Sequence, residues 1–243
     1  MIRLYQTQRA WGLPNYSQSS MKLETWLRMT GISYEIPALD FRLAPKGKVP
    51  FIDDEGTMMG DSTFIVEHLK QRYKVNPDAG LSSSENAVAL AFRRMIKENL
   101  FWSTVYSRYF DEKNWPTYRA LVAEVLAADK PAEEQDRVLS SFREYMRTQL
   151  QGHGMGRHSP QEIYRLGQAD LAAIADFLAD KPFFMGETPT TVDTTVDAYV
   201  ANILFAPIES PLKEYGLTRP NLVAYCNRMR ARFYPEFSTS SHS

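Results

Sequence analysis

The chain has 243 residues, which at roughly 150 residues per domain indicates one or two domains. Its 28 lysines and arginines are balanced by 29 aspartates and glutamates, which excludes strong attraction of the whole molecule to nucleic acid or to an anionic membrane. Hydrophobic residues make up 44% of the chain, enough for a sizeable core, and the single cysteine, Cys226, excludes an intrachain disulfide and a cysteine metal cluster.

The first third of the chain mixes strand and helix patterns. Met1 to Tyr5 alternates with period two, and Met21 to Thr30 has a helical recurrence that Gly31 closes at the C-terminal capping position. The order of predicted elements is β-α-β-(α)-β-β-α. After the first helix, the pattern predicts an extended segment, two strands separated by a tight turn, and a helix, at residues 33–38, 49–52, 57–59 and 61–73.

The rest of the chain has a helical pattern. Residues 74–84 have the composition of a loop and are the predicted linker, and no strand-forming stretch follows them. We therefore expect a small α/β domain over residues 1–75 and an all-helical domain over residues 85–237. The predicted helices of the second domain are 87–109, 117–128, 133–151, 160–180, 191–205 and 221–232.

The sequence also indicates where in the cell the protein is expected. Its first residues lack the apolar core of a secretory signal, and no uncharged apolar run approaches the roughly 18 residues of a membrane-spanning helix. A chain with one cysteine fits a reducing environment. We expect a cytoplasmic protein that has neither a membrane nor nucleic acid as its partner.

A proline follows Val49 at the start of a predicted strand. A proline in this position can be a feature of an edge strand and nothing more. Alternatively, Val49-Pro50 is a cis peptide bond, which leaves the N–H and C=O of Val49 free to pair with an extended peptide ligand. The motif by itself leaves both interpretations open.

Two serine-containing motifs precede predicted helices: Ser17-Gln-Ser-Ser20 and Gly60-Asp61-Ser62. Both can be simple caps, because Ser and Asp side chains accept hydrogen bonds from the first free N–H groups of a helix. They can also bind a ligand, since a helix N-terminus binds a carboxylate and Asp61 can pair with an amino group. A serine hydroxyl there can donate to a bound thiolate and lower the thiol pKa from about 8.5.

Other motifs do not indicate chemistry. Residues 152–156 are rich in glycine, but they follow a predicted helix rather than a strand, which disfavours a dinucleotide loop. His153 and His158 lack further ligands in the sequence, so no metal site is expected. Cys226 is interpreted as a small core residue of the last helix.

Taken together, the elements and motifs resemble the glutathione S-transferase superfamily over nearly the whole chain. Val49-Pro50 is similar to the cis-proline of that family, and Asp61-Ser62 is similar to its acidic-residue–serine signature. Gly186 to Asp193 resembles the family's capping box, in which Thr190 would cap a helix and Asp193 would bond back to it. The resemblance implies a thioredoxin-like N-terminal domain followed by an all-helical C-terminal domain.

The local sequence is most similar to a divergent branch of that superfamily. Residues 20–29, 47–50 and 189–193 resemble the failed-axon-connections and metaxin-like group, whose bacterial members are called glutathione S-transferase-like proteins. Members of the superfamily are commonly homodimers, so the resemblance also implies a homodimer.

The resemblance implies a residue that holds the glutathione thiol. Ser17 has the spacing from Gly31 that the serine and cysteine classes show. Those classes often have proline at the next position, where this chain has Gln18, so Ser19 and Ser20 remain alternatives. The tyrosine classes place their residue at the end of the first strand, and Tyr5 matches that pattern poorly because the loop that follows it is long.

The same resemblance implies glutathione as the co-substrate. Val49 would pair with its cysteinyl backbone, Asp61 and Ser62 would hold the γ-glutamyl end, and Lys48 would lie near the glycyl carboxylate. Ser17 would donate to the sulfur, and the thiolate would attack a small hydrophobic electrophile. The residues expected to line the electrophile pocket are Trp11, Leu13, Tyr16, Trp102, Tyr106 and Tyr109, of which the last three are also at the spacing of a core stripe.

Two other functions remain open at this point. One is a non-catalytic adaptor that keeps the fold, as the metaxin-like resemblance allows. The other is a glutathione-dependent isomerase, lyase or peroxidase that uses the same site.

Overall fold

The N-terminal part of the chain forms one four-stranded sheet. The computed structural model describes residues 1–237. Its strands are β1 (Ile2–Tyr5), β2 (Tyr34–Glu35), β3 (Phe51–Asp54) and β4 (Thr57–Gly60). Their order is β2-β1-β3-β4, with β2 parallel to β1 and the other pairs antiparallel. Leu4 lies opposite Ile52, and both side chains are fully buried.

Two helices share a core with this sheet, namely α1 (Gln18–Thr30) and α2 (Ser62–Tyr73). Gly31 ends α1 as predicted: its φ of 69° is in the left-handed region that favours glycine, and its N–H bonds to carbonyl groups of the last turn. A single 3₁₀ turn, Phe41–Leu43, occupies the crossover before β3. The predicted α/β part is therefore confirmed.

The remainder of the described chain is helical, which confirms the predicted fold class. Its helices are α3 (Ser83–Arg94), α4 (Phe101–Tyr109), α5 (Trp115–Leu126), α6 (Ala132–His153), α7 (Pro160–Leu178), α8 (Thr191–Leu204), α9 (Pro211–Leu217) and α10 (Pro220–Phe233). The predicted helix 87–109 is interrupted by a π-helical turn, Met95–Leu100, between α3 and α4. The sequence did not predict α9, because seven residues are too few to show a helical period.

The capping motif before α8 is confirmed. The Asp193 carboxylate accepts hydrogen bonds from the Thr190 N–H at 2.7 Å and hydroxyl at 3.0 Å, from the Phe184 N–H at 2.7 Å and from the Tyr225 hydroxyl at 2.9 Å. Burial raises the pKa of Asp193, although these donors act in the opposite direction. Cys226 is buried in the core, as the sequence indicated, and burial raises the pKa of its thiol.

Helix α1 is buried on nearly all sides. Leu23 and Trp26 face the core of the sheet, and Met21 belongs to the core of the helical part. The Trp26 indole N–H donates to the Thr191 hydroxyl of α8 at 3.4 Å, and Thr25 bonds to the hydroxyl of Tyr234 at 2.9 Å. The helix therefore joins the two parts of the molecule.

Glu24 is a fully buried carboxylate on α1, and it is well supplied with donors. It accepts hydrogen bonds from Gln6 at 2.7 Å, Tyr34 at 3.0 Å, Arg28 at 3.1 Å and Arg9 at 3.2 Å. Because burial of a charge is costly unless that charge is paired and bonded, this network permits the helix to carry Glu24 into the interior.

We expect Glu24→Gln to lower the free energy of unfolding by roughly 3 kcal/mol, because it leaves Arg28 and Arg9 beside a neutral amide. Urea denaturation measures this change. Glu35→Gln is the matched control: it breaks an exposed pair with Arg3 and should change the free energy of unfolding little. Equal losses in the two variants would contradict the importance of this network.

Candidate active site

Ser17 lies at the N-terminus of α1 with its backbone in the extended conformation of a capping residue. Its hydroxyl oxygen accepts hydrogen bonds from the Ser20 N–H at 3.4 Å and from the Ser20 hydroxyl at 3.1 Å. Among the hydrogen bonds of residues 1–237, the Ser17 hydroxyl acts only as an acceptor. Its own proton is therefore available for a ligand at the positive end of the helix dipole.

The other three residues that were candidates for contact with the thiol have different surroundings from Ser17. Ser20 is fully buried behind it, and Tyr5 is buried in a stack on Phe51, with ring centroids 4.5 Å apart. Ser19 is half-buried and lies close enough to Tyr199 to lower the pKa of that phenol, against the effect of burial. Of these four residues, Ser17 is the one that combines partial exposure with the capping position at the N-terminus of α1.

The loop before Ser17 is fixed by the helical part of the molecule. Arg108 of α4 donates to the carbonyl oxygen of Tyr16 at 2.9 Å and to the Asn202 side chain of α8 at 2.8 Å. Asn202 in turn donates to the carbonyl oxygen of Asn15 at 3.1 Å. The position of Ser17 therefore depends on contacts from both α4 and α8.

The peptide bond between Val49 and Pro50 is cis. Val49 is half-buried and lies before β3, whose pairing with β1 and β4 begins at Phe51. The Val49 backbone is thus outside the ladders of the described sheet and can pair with an extended ligand. Lys48 beside it is exposed.

Asp61 and Ser62 form the N-terminus of α2. Asp61 is a non-glycine residue with a φ of 76°, and its carboxylate accepts from the Thr63 N–H at 2.8 Å. Lys97 of the π-helical turn lies 3.4 Å from the same carboxylate. Burial raises the pKa of Asp61, but the Thr63 N–H and Lys97 lower it by more, so Asp61 is held as a carboxylate.

Lys22 of α1 also reaches the start of α2, a position that its sequence pattern does not predict. Its ammonium donates to the Ser62 hydroxyl at 3.2 Å, while its side chain is 4% exposed. Burial and the nearby positive charges of Lys97 and Arg93 lower the pKa of Lys22 to about 7. A polar residue within an apolar recurrence is usually on the exposed face, so only the complete burial of α1 shows that Lys22 points inward.

The π-helical turn supplies residues to two neighbours. Lys97 bonds to the Thr63 hydroxyl at 3.3 Å, at the start of α2, whereas Asn99 donates to Asp170 of α7 at 2.7 Å. Burial raises the pKa of Asp170 to about 6, and the bond from Asn99 opposes this rise. Such turns within helices are frequent at functional sites.

The aromatic residues expected at the electrophile pocket divide into two groups. Trp11 and Tyr16 lie 6.0 Å apart between ring centroids and both contact Tyr118, which also packs edge-on against Tyr109 at 4.8 Å. Leu13 is buried in the same core.

Trp102 and Tyr106 belong to the second group. Trp102 stacks on His153 with ring centroids 4.9 Å apart, and Tyr106 contacts Tyr164 of α7 at 5.6 Å. The structure therefore brings Trp11, Tyr16 and Tyr109 together through Tyr118, and it places Trp102 and Tyr106 against α6 and α7.

Among residues 1–237, the structure contains no helix with the length and apolar character needed to cross a membrane.

Two family models match this chain. The model described as "Glutathione S-transferase N-terminal domain" matches residues 18–114, and the one described as "Glutathione S-transferase, C-terminal domain" matches residues 167–229.

Similar proteins include an enzyme of similar length and two longer proteins. The isoprene-epoxide–glutathione S-transferase of Rhodococcus sp. (strain AD45) is 35% identical, over 96% of this chain and 99% of that protein. Failed axon connections of Drosophila melanogaster is 31% identical, over 98% of this chain and 59% of that protein. Metaxin-1 of Homo sapiens is 27% identical, over 96% of this chain and 51% of that protein.

Solved structures support the fold. A glutathione S-transferase of Methylobacterium radiotolerans, in complex with glutathione sulfonate, superimposes with a TM-score of 0.62 at 17% identity. The match covers 98% of this chain and 93% of that one. Both chains therefore share one fold.

We expect Lys22→Met to be more stable than the wild type at pH 6, because it removes a buried ammonium that lacks a carboxylate partner. The folded-state pKa of Lys22 is about 7 and its ordinary value is 10.5. Between these values the unfolded wild type binds a proton that the folded form does not, so wild-type stability rises with pH in that window. The advantage of the variant should therefore shrink from pH 6 to pH 9. Urea denaturation at several pH values measures it, and a constant difference would contradict the prediction.

Proposed function

This chain belongs to the glutathione S-transferase family, and from that premise we propose that it activates the thiol of bound glutathione for attack on a small hydrophobic electrophile. The observation that carries the proposal is the Ser17 hydroxyl, which has an unused proton at the N-terminus of a buried helix. The Rhodococcus relative, which is named for the reaction of an epoxide with glutathione, supports the same class of reaction.

In this proposal, glutathione extends from β3 to the start of α2. The N–H and C=O of Val49, which precede the sheet ladders, pair with the cysteinyl backbone. Ser62 and the first N–H groups of α2 bind the γ-glutamyl carboxylate, and the ionised carboxylate of Asp61 binds the amino group. Lys48 is exposed and lies beside the glycyl carboxylate.

Thiol activation follows from the position of Ser17. Its hydroxyl donates to the sulfur, and the helix N-terminus adds a partial positive charge, so both stabilise the thiolate relative to the thiol. The thiol proton leaves to solvent, the sulfur forms a bond to an electrophilic carbon, and the bond from that carbon to its leaving oxygen or other group breaks. Because glutathione supplies the reactive sulfur, the buried Cys226 takes no part.

The electrophile binds, in this proposal, against the aromatic group nearest Ser17. Tyr16 precedes Ser17 directly, and Trp11 is partly exposed and packs on Tyr16. Tyr109 and Leu13 are buried and support this wall, whereas Trp102 and Tyr106 lie against other helices. The fixed position of the loop holds the electrophile close to the sulfur.

The second candidate function is a non-catalytic adaptor. The similarity to Failed axon connections and metaxin-1 favours it, since the chain matches those longer proteins over nearly its whole length. It predicts weak glutathione binding and no conjugation.

We also propose a cytoplasmic homodimer. Apolar side chains are exposed on three elements, namely Met58 of β4, Phe64 of α2 and Leu90 of α3, which are 38%, 55% and 47% accessible. Burial of such side chains against a second copy supplies the driving force for association.

The wild type should be retained on immobilised glutathione and should conjugate members of a panel of small electrophiles that begins with epoxides. Ser17→Ala should keep glutathione binding but shift the rise of kcat/KM to higher pH, because the bound thiol loses a hydrogen-bond donor and its pKa increases. An unchanged pH profile would contradict the role of Ser17, and a shift in Ser19→Ala or Ser20→Ala instead would assign the sulfur to that residue.

Light scattering should give a molar mass of about twice 27.9 kDa for the wild type. Phe64→Glu should shift the mass towards that of one chain, because a buried carboxylate at the contact is unfavourable. Tyr145→Glu is the matched control, since Tyr145 is similarly exposed but lies on α6. A single-chain mass for the wild type would overturn the homodimer.

A further inference from the structure

Helix α1 carries two buried charges that differ in how they are compensated. Glu24 accepts from four side chains, two of which are arginines. Lys22 is almost as deeply buried, and its hydrogen bond is to the neutral hydroxyl of Ser62. None of the ion pairs within residues 1–237 includes Lys22. The same helix therefore has one balanced and one unbalanced charge.

The surroundings of Lys22 add positive charge. Lys97, Arg93 and Arg94 all act on it electrostatically, and Asp61 is the carboxylate among the charged groups with the largest effects on it. That carboxylate is already paired with Lys97. The Nε atom of Arg93 is buried without a hydrogen-bond partner in the described chain. The start of α2 thus has more positive groups than negative ones, which suits an incoming anion.

The hydrogen-bond geometry defines where that anion binds. Ser62 accepts from Lys22, so the Ser62 hydroxyl proton is left to donate, and the Lys22 ammonium keeps two further protons. The two groups are 3.2 Å apart, so one carboxylate can accept from both. The N-terminus of α2, which begins at Ser62, adds its free N–H groups.

We propose that Lys22 is a specificity-determining residue that binds the α-carboxylate at the γ-glutamyl end of the co-substrate, together with Ser62. The assignment rests on the proposed function, and it adds to the family signature a cation from a different helix. Lys22 selects γ-glutamyl peptides with a free α-carboxylate over peptides that lack it. Its uncompensated burial in the free protein is offset when that carboxylate binds.

Calorimetric binding of two peptides to two proteins tests this assignment. The peptides are glutathione and γ-aminobutyryl-cysteinyl-glycine, which differs from glutathione by the missing α-carboxylate. The proteins are the wild type and Lys22→Met. We expect Lys22→Met to lose about 10-fold to 100-fold in affinity for glutathione, the range for a hydrogen bond to a charged group, and to bind the analogue as the wild type does.

Two further variants complete the experiment. Lys213→Met removes a half-buried lysine of α9 that is bonded to Glu209 and to the carbonyl oxygen of Ala206, and it should leave both affinities unchanged. Lys22→Gln keeps a hydrogen-bond donor for Ser62 but removes the charge, and it should behave as Lys22→Met does. It also serves if Lys22→Met unfolds, which thermal denaturation detects.

Each outcome either supports or overturns the assignment. A loss in Lys22→Met that is confined to glutathione supports it. Equal losses for both peptides show a merely structural role and overturn it, as does equal affinity of the wild type for both peptides. If the wild type binds neither peptide, the proposed function and the assignment both fail, whereas the preceding outcomes leave the proposed function intact.

Discussion

The complete burial of α1 is the constraint on which the rest of the structure depends. Leu23 and Trp26 close the core of the sheet, and Met21 enters the core of the helical part. Because hardly any face of the helix is exposed to water, each of its polar groups needs a partner inside the protein. The N-terminal loop, α8 and the residues after α10 supply those partners, so the helix that begins after Ser17 also connects the two parts of the molecule.

Two charged residues of α1 have opposite effects on the stability of the fold. Around Glu24 the chain provides every donor itself, which makes that end of the helix a stabilising element. Around Lys22 the chain provides one hydroxyl and additional positive charges, which lower the stability of the ligand-free protein. Natural proteins keep such unfavourable arrangements where a ligand gains from them.

The sequence allowed prediction of elements whose determinants are local. Period, capping residues and turns identified the strands, α1 with Gly31, and the Asp193 cap, and the motifs predicted Ser17, Val49 and Asp61 as site residues. Features that depend on which residues pack against an element could not be predicted from the sequence. Trp102 and Tyr109 share one helix face, yet Trp102 stacks on His153 of α6, whereas Tyr109 packs on Tyr118 of α5. Lys22 was missed for the same reason, whereas α9 was missed because seven residues are too few to show a helical period.

The contacts of Arg108 limit which parts can be exchanged between related proteins of this fold. Its guanidinium holds the loop before Ser17 to α8, across the boundary that the loop composition of residues 74–84 marks. A chimaera assembled at that boundary would combine one protein's loop with another protein's anchor. The two halves therefore have to evolve in step, and exchange of whole halves between relatives should succeed only where the arginine, its asparagine and the loop carbonyl are inherited as a set.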